Sequence, residues 1–171
     1  MTDFQQLAHD RYSCRSFSDR PVEGEKIDAL VDVALAAPTA VDRQPWRMWV
    51  VESPEAVARL AAHTRFDFGA RVILVLGALP DEAWVRKYDG RNFADVDASI
   101  VGTHVMLAAH DLGLGTTWVG HFDAPAVKGE FPEMEPYDLV ALFPLGYPAE
   151  DAEPAPMHFK RRPADELVTR I

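Results

Sequence analysis

Apolar residues that recur every three or four positions predict the two main helices of this chain. Residues 23–36 have this spacing, and Pro38 stops the helix. Residues 94–111 have the strongest helical pattern, and Gly113 follows as a C-terminal cap. Shorter helices are predicted over residues 2–10, 54–62 and 124–130.

Strands are predicted where short apolar runs lie between turn residues. The segment from Val72 to Leu79 is apolar throughout, as expected of a strand that is covered on both faces. Further strands are predicted over residues 46–51, 116–120 and 139–145. Because helices alternate irregularly with few strands, we predict an α+β fold with helices packed over one sheet.

The last part of the chain, residues 146–171, differs in character from the rest. It is rich in proline and charge, and it ends with the apolar residues Leu167, Val168 and Ile171. Such a segment is too polar to fold on itself, so we expect it to lie on a partner subunit. We therefore predict one domain, residues 1–171, with a C-terminal tail that extends onto a second copy.

Charge and cysteine content narrow the classes of partner. The formal net charge is −10 at pH 7, so nucleic acids and anionic membrane surfaces are disfavoured as partners. Cys14 is the only cysteine, which excludes an intrachain disulfide and fits a reducing compartment. No segment has the pattern of a signal peptide or a membrane span, and we expect a cytoplasmic protein.

Two segments contain residues suited to ligand binding. In the first, Arg11, Ser13 and Arg15 could bind a phosphate or carbonyl group, although the spacing alone favours an exposed basic turn paired with Asp10 and Asp19. In the second, small residues and Gln44 join a helix to a strand, where backbone could approach a flat ligand closely. An ordinary loop that leads to a core residue, Trp46, is the alternative.

Other chemistries find little support in the sequence. The glycines of residues 113–120 follow a helix and precede a strand, which is the reverse of a dinucleotide-binding turn. Histidine spacing predicts no metal site, and no hydrolase nucleophile motif occurs. The basic cluster Lys160–Arg162 is either a solvated charge run or a phosphate-binding group carried by the tail.

Four segments, in this order, resemble the nitroreductase family of flavoproteins. The first is the R-x-S-x-R-x-F pattern of residues 11–17, and the second is the loop from Pro38 to Trp46. The third is the helix, glycine turn and strand of residues 97–120. The fourth is PLGYP at 144–148, followed by Lys160-Arg161-Arg162-Pro163.

This resemblance implies a central antiparallel sheet flanked by helices, and an intertwined homodimer with two FMN sites built from both subunits. Arg11, Tyr12, Ser13 and Arg15 would contact the flavin from one chain, and Trp118, Val119 and Gly120 would approach its ring from the strand side. Arg161 and Arg162 would hold its phosphate. From the other chain the contacts would be Pro38, Thr39, Ala40, Asp42 and Gln44.

Two departures from the family pattern bear on the site. Asp42 stands where the family usually has Asn, so a carboxylate replaces a neutral amide, and it would disfavour an anionic reduced flavin unless Arg43 or Arg15 neutralises it. The stretch from Pro80 to Phe93 is expected to replace a longer helical excursion that usually shapes the substrate pocket. Candidate substrate-pocket residues are Val41, Trp84, Tyr88 and Phe93.

The implied activity is hydride transfer from NADH or NADPH to flavin N5, followed by reduction of an electron-poor small molecule such as a nitroaromatic or a quinone, in a ping-pong mechanism. Arg15 would stabilise the negative charge that builds on the flavin, and no catalytic side chain or metal is expected. The alternatives are another flavoenzyme chemistry on this fold (reductive dehalogenation, flavin cleavage or oxidation of a peptide-derived ring), a non-enzymatic FMN carrier, and a dimeric interaction module.

Overall fold

A computed structural model describes residues 3–171. Four strands form one antiparallel sheet in the order β1-β2-β4-β3. The strands are β1 (Trp46–Val51), β2 (Val72–Ala78), β3 (Gly115–Thr116) and β4 (Asp138–Gly146). The helices are α1 (Phe4–Asp10), α2 (Gly24–Leu35), α3 (Pro54–Ala61), α4 (Ala94–Asp111), α5 (Ala124–Glu130) and α6 (Ala164–Leu167).

Strand β2 is an inner strand of the sheet, between β1 and β4. Its side chains point alternately to the two faces of the sheet, where they belong to two separate layers of the core. Leu74 and Leu76 belong to a buried cluster with α2 and α4, whereas Ile73 and Val75 belong to a second cluster with α3 and α5. Every residue of β2 is buried, which confirms the prediction that both faces of this strand are covered. The α+β fold with helices flanking an antiparallel sheet is confirmed.

Local signals in the sequence place most element ends within one residue. Ser53 caps α3 by accepting a hydrogen bond from the Ala56 amide at 3.2 Å. Gly113 ends α4 with a φ of 73°, as expected of a glycine cap. Of the predicted first helix, residue 2 lies outside the described residues, and α1 begins at Phe4.

The predicted strand over residues 116–120 is wrong in its extent. β3 spans only Gly115–Thr116, and pairing resumes at a single bridge between Val119 and Leu142. The physical reason is Trp118, whose ring packs edge-on against Phe143 with centroids 5.1 Å apart. A Cβ on Gly102 would lie 2.7 Å from the same indole ring, so the helix makes room for the tryptophan where the strand is interrupted.

The C-terminal segment has little regular structure. After β4, Ala149 donates a backbone hydrogen bond to the Ser16 carbonyl at 3.1 Å, so the start of the tail lies against residues near the N-terminus. Beyond it the large apolar side chains are exposed: Met157, Phe159, Leu167, Val168 and Ile171. No helix within residues 3–171 is long and apolar enough to cross a membrane.

Candidate functional site

The N-terminal site segment is held in extended conformation by the end of the sheet. Cys14 donates its amide hydrogen to the Thr116 carbonyl at 3.0 Å, and Ser13 pairs with Thr116 in parallel orientation. The Cys14 side chain is fully buried. Because side chains alternate along extended backbone, Ser13 and Arg15 point away from the core on which Cys14 packs.

The guanidinium groups of this segment are not neutralised by carboxylates. Within residues 3–171, no ion pair includes Arg11 or Arg15. Arg15 donates to the Ser13 carbonyl at 3.1 Å and is otherwise exposed. In a chain with a net charge of −10, two cations that lie four positions apart without an ion-pair partner among the described residues favour an anionic or carbonyl-rich ligand.

Tyr12 points toward the tail. Its hydroxyl donates to the Ala152 carbonyl at 3.4 Å. Partial burial, and then the neighbouring Cys14 thiol, raise the pKa of Tyr12 above its ordinary value. The phenol therefore stays protonated, and its described contact is with the chain itself.

A small cavity of about 110 Å³ lies beside this segment, between Arg11, Tyr12, His110 and Thr116. Thr116 Oγ1 is buried without a hydrogen-bond partner among the described residues. A buried hydroxyl without a partner is costly, so a polar group is expected to fill this place. A cation and a free hydroxyl together suit an oxygen-rich ligand group.

The strand-side residues lie next to a second, larger cavity. Val119 exchanges two backbone hydrogen bonds of 2.9 Å with Leu142, and its side chain is buried in the cluster that contains Ile73 and Val75, whereas Gly120 is exposed. Immediately beyond Gly120, residues 62–65 and 121–123 line a cavity of about 390 Å³. Thr64 Oγ1 donates to the His121 carbonyl at 3.0 Å and ties the two segments together.

This cavity contains two residues that the sequence did not single out, His63 and Arg65. Arg65 is exposed and takes part in none of the ion pairs found between residues 3 and 171. Residues 63–65 are more than 50 positions from His121 in the chain, and no motif links them. Only the fold brings them together, so periodicity and spacing carried no signal.

The loop from Pro38 to Gln44 lies at the other end of α4. Val41, Asp42 and Gln44 all have positive φ angles, of 48°, 55° and 51°. The side chain of Asp42 accepts a hydrogen bond from Gln44 Nε2 at 3.0 Å. Arg43, a candidate to neutralise Asp42, instead donates to the Glu82 carbonyl at 3.3 Å.

Three of the four predicted substrate-pocket residues lie on a short hairpin-like excursion before α4, which the bridge between Val85 and Asn92 closes. Trp84 and Phe93 pack edge-to-face with centroids 5.0 Å apart, and the Phe93 amide donates to the Trp84 carbonyl at 3.1 Å. Tyr88 lies at the tip and is 84% exposed, and Val41 in the neighbouring loop is 69% exposed. Trp84 and Phe93 therefore pack on each other, and Tyr88 and Val41 are open to solvent.

The two tail arginines lie in exposed backbone. Arg161 donates to the Lys160 carbonyl at 2.9 Å, and Arg162 forms an ion pair of 2.9 Å with Glu166. The candidate cofactor-binding residues thus form four groups: residues 11–15, residues 118–120, the loop 38–44, and residues 161–162. No hydrogen bond or ion pair between described residues joins one of these groups to another.

Comparison with known proteins agrees with this architecture. The model of the nitroreductase family matches residues 8–67 and 61–147. A protein of Methanothermobacter thermautotrophicus, provisionally named an NADH dehydrogenase/NAD(P)H nitroreductase, is 32% identical over 145 residues, covering 82% of this chain and 75% of its own length. The FMN reductase [NAD(P)H] of Bacillus subtilis is 28% identical over 86% of this chain and 66% of its own.

Solved structures of nitroreductases have the same fold as this chain. A nitroreductase family protein from Clostridium difficile is 35% identical, with a TM-score of 0.90 over 98% of both chains. A provisionally named nitroreductase from Desulfovibrio desulfuricans, solved in complex with FMN, is 25% identical, with a TM-score of 0.82 over 100% of this chain and 98% of its own. The sequence motifs, the fold and these likenesses together show that the chain belongs to the nitroreductase family.

Proposed function

We propose that this protein is an FMN-dependent oxidoreductase that oxidises NADH or NADPH and reduces an electron-poor small molecule such as a nitroaromatic or a quinone. The names of its relatives and the FMN-bound structure of one neighbour support this assignment. When bound, FMN supplies the two-electron redox chemistry. The chain itself supplies binding, orientation and electrostatic stabilisation.

The observation that carries the proposal is the unpaired cationic segment beside a cavity. Arg11 and Arg15 have no ion-pair partner within residues 3–171, and the buried hydroxyl of Thr116 lacks a hydrogen-bond partner there. FMN presents a phosphate and two ring carbonyls, which are the acceptors that guanidinium groups bind best. The residues present therefore fit this cofactor.

We assign each group of site residues one task. Arg11, Ser13 and Arg15 bind cofactor oxygens, and Arg15 stabilises negative charge on the ring. The backbone of residues 118–120 lines the ring from the strand side. The loop 38–44 borders the ring, and Arg161 with Arg162 binds the phosphate from the tail.

A homodimer would complete this site, because the four groups are not joined to one another by hydrogen bonds or ion pairs within the described part of one chain. The exposed apolar residues of the tail support such an assembly, since they have no large apolar surface of their own chain to cover them. In this arrangement residues 11–15 and the loop 38–44 at one site come from different copies.

The direct test is a visible absorption spectrum of the purified protein, followed by anaerobic titration with NADH and NADPH. We expect a yellow protein whose flavin absorption near the visible maximum is bleached by at least one of the two nucleotides. A chain that stays colourless after addition of FMN would contradict the proposal. Tight FMN binding without bleaching would leave a flavin carrier instead of an oxidoreductase.

Substitution of Arg15 tests the electrostatic assignment. Arg15→Ala should lower turnover by about tenfold or more while FMN affinity changes less, because charge stabilisation matters most during electron transfer. Arg71→Ala is the matched control, since it removes the same charge from an exposed ion pair with Asp19. Normal reduction rates in Arg15→Ala, measured by stopped-flow, would defeat this role for Arg15.

A further inference from the structure

The loop that borders the proposed cofactor site is strained. Val41, Asp42 and Gln44 have φ angles of 48°, 55° and 51°, a left-handed conformation that disfavours side chains with a Cβ. For a β-branched residue such as Val41 this conformation is a genuine outlier. Such a conformation is unfavourable and persists only where the surrounding structure holds it in place.

The contacts inside the loop are exposed to water and therefore weak. Gln44 donates its amide hydrogen to Thr39 Oγ1 at 3.0 Å and its side-chain amide to Asp42 at 3.0 Å. Both hydrogen bonds are exposed and can exchange with solvent. They shape the loop, but they do not fix it to the rest of the molecule.

A buried carboxylate fixes the loop to the core. Asp97, the fourth residue of α4, is 1% exposed, and its Oδ1 accepts a hydrogen bond of 2.9 Å from the Ala40 amide. A hydrogen bond to a buried carboxyl oxygen is less exposed to competition from water than the contacts within the loop, and so holds its donor more firmly. The position of Ala40, directly before the strained residues, is therefore set by α4.

Asp97 lies in the first turn of α4, where the helix dipole favours a carboxylate, but that interaction does not require the side chain to be buried. The N-cap residue Phe93 forms no side-chain cap hydrogen bond, and the Oδ1 of the preceding Asn92 accepts from the Ala94 amide at 2.9 Å, so the first amide of α4 does not use Asp97 as its acceptor. The second carboxylate oxygen of Asp97 is buried without a hydrogen-bond partner among the described residues. A half-satisfied buried carboxylate costs stability, so some other requirement has to maintain it here.

We propose that Asp97 is a positioning residue that holds the loop 38–44 in its strained, ligand-ready conformation. This inference rests on the proposed function, because it assumes that the loop borders FMN. Asp97 touches neither the cofactor nor the acceptor. It acts through the Ala40 amide and lowers the cost of ordering the loop when the cofactor binds.

The test measures the loop and the cofactor separately in three variants. Asp97→Ala should weaken FMN binding by about tenfold and speed trypsin cleavage after Arg43 in the cofactor-free protein, since the loop loses its buried anchor. Asp97→Asn keeps an acceptor for the Ala40 amide and should restore both properties to within about threefold of the parent protein. FMN affinity is followed by fluorescence quenching, and cleavage by mass spectrometry.

Val101→Ala is the matched control for a general loss of stability. Val101 is fully buried one turn further along α4, so its truncation lowers the unfolding free energy without touching the loop. We expect its FMN affinity and Arg43 cleavage to stay at parent levels. Equal effects in Asp97→Ala and Val101→Ala, or unchanged cleavage after Arg43 in Asp97→Ala, would overturn the role of Asp97. Failure of the parent protein to bind FMN would instead overturn the proposed function, whatever the cleavage result.

Discussion

At the scale of single residues, the site segment depends on a close approach between Gly115 and Cys14. A Cβ on Gly115 would lie 2.7 Å from both Cβ and Sγ of Cys14, nearer than real side-chain atoms come. The cysteine is fully buried and so cannot move aside into solvent. Because Ser13 and Arg15 flank Cys14, the missing side chain at position 115 sets where the arginine is held.

Gly115→Ala is therefore expected to destabilise the fold by about 1–3 kcal/mol through overpacking and to weaken FMN binding as residues 13–15 shift. Gly129→Ala is the control, since a Cβ at that position in α5 meets no atom within 4 Å. It should leave stability unchanged or raise it by about 0.5–1 kcal/mol, because alanine is the better helix former. Equal melting temperatures for the two variants would contradict this account of Gly115.

At the scale of elements, the start of α2 is tied to the chain after β4 by a cluster around Glu23. The Tyr147 hydroxyl donates to Glu23 at 2.6 Å, and Arg20 pairs with the same carboxylate at 2.7 Å. The Arg20 guanidinium also stacks 3.8 Å from the centre of the Tyr147 ring. The hydrogen bond from Tyr147, and then that from Arg20, lower the pKa of Glu23 from 4.5 to about 2.

This shift predicts a pH dependence with a definite sign. Because the carboxylate form of Glu23 is favoured in the folded protein, its contribution to stability is full above about pH 4.5 and is lost as the pH falls from 4.5 toward 2. Glu23→Gln should thus be less stable than the parent at pH 6, and the difference should shrink on acidification. Chemical unfolding of both proteins between pH 2.5 and 6 measures this difference in the free energy of unfolding.

Glu25→Gln controls for the loss of one negative charge from the first turn of α2. It removes the same charge from the helix without breaking the contacts to Tyr147 and Arg20. A stability difference for Glu23→Gln that does not vary with pH, or one that Glu25→Gln reproduces, would count against the cluster. The cluster is exposed, so only its pH dependence and not a large free energy is expected.

At the scale of elements, the sequence could predict the helices and strands whose patterns are local. The apolar run of β2 and the helical pattern of α4 are local properties, and their ends were placed within one residue. The extent of β3 was missed because the path of Trp118 depends on space left by Gly102, a contact between distant segments. His63 and Arg65 were missed for a related reason, since their nearness to His121 arises only in the folded chain.

At the scale of the whole molecule, the candidate site is divided between separate regions of an acidic chain. The cationic residues 11–15 lie at one edge of the sheet, and the loop 38–44 is fixed to the start of α4. If residues 11–15 of one chain meet the loop 38–44 of another, each homodimer has two sites. Every site then contains residues 11–15 from one copy and the loop from the other copy. A shared site and a site within one chain therefore predict different activities for dimers that combine two variant chains.

Mixed dimers of Arg15→Ala and Gln44→Ala chains, isolated with two different affinity tags, should have about half of the parent NAD(P)H oxidation, because one of their two sites is free of both substitutions. Mixed dimers of the parent chain with the double variant Arg15→Ala/Gln44→Ala are the reversed control. In them each shared site contains one substitution, so little activity is expected. Half of the parent activity in the control, with no activity in the first pair, would place each site within a single chain. Failure to recover any doubly tagged species would refute the dimer itself.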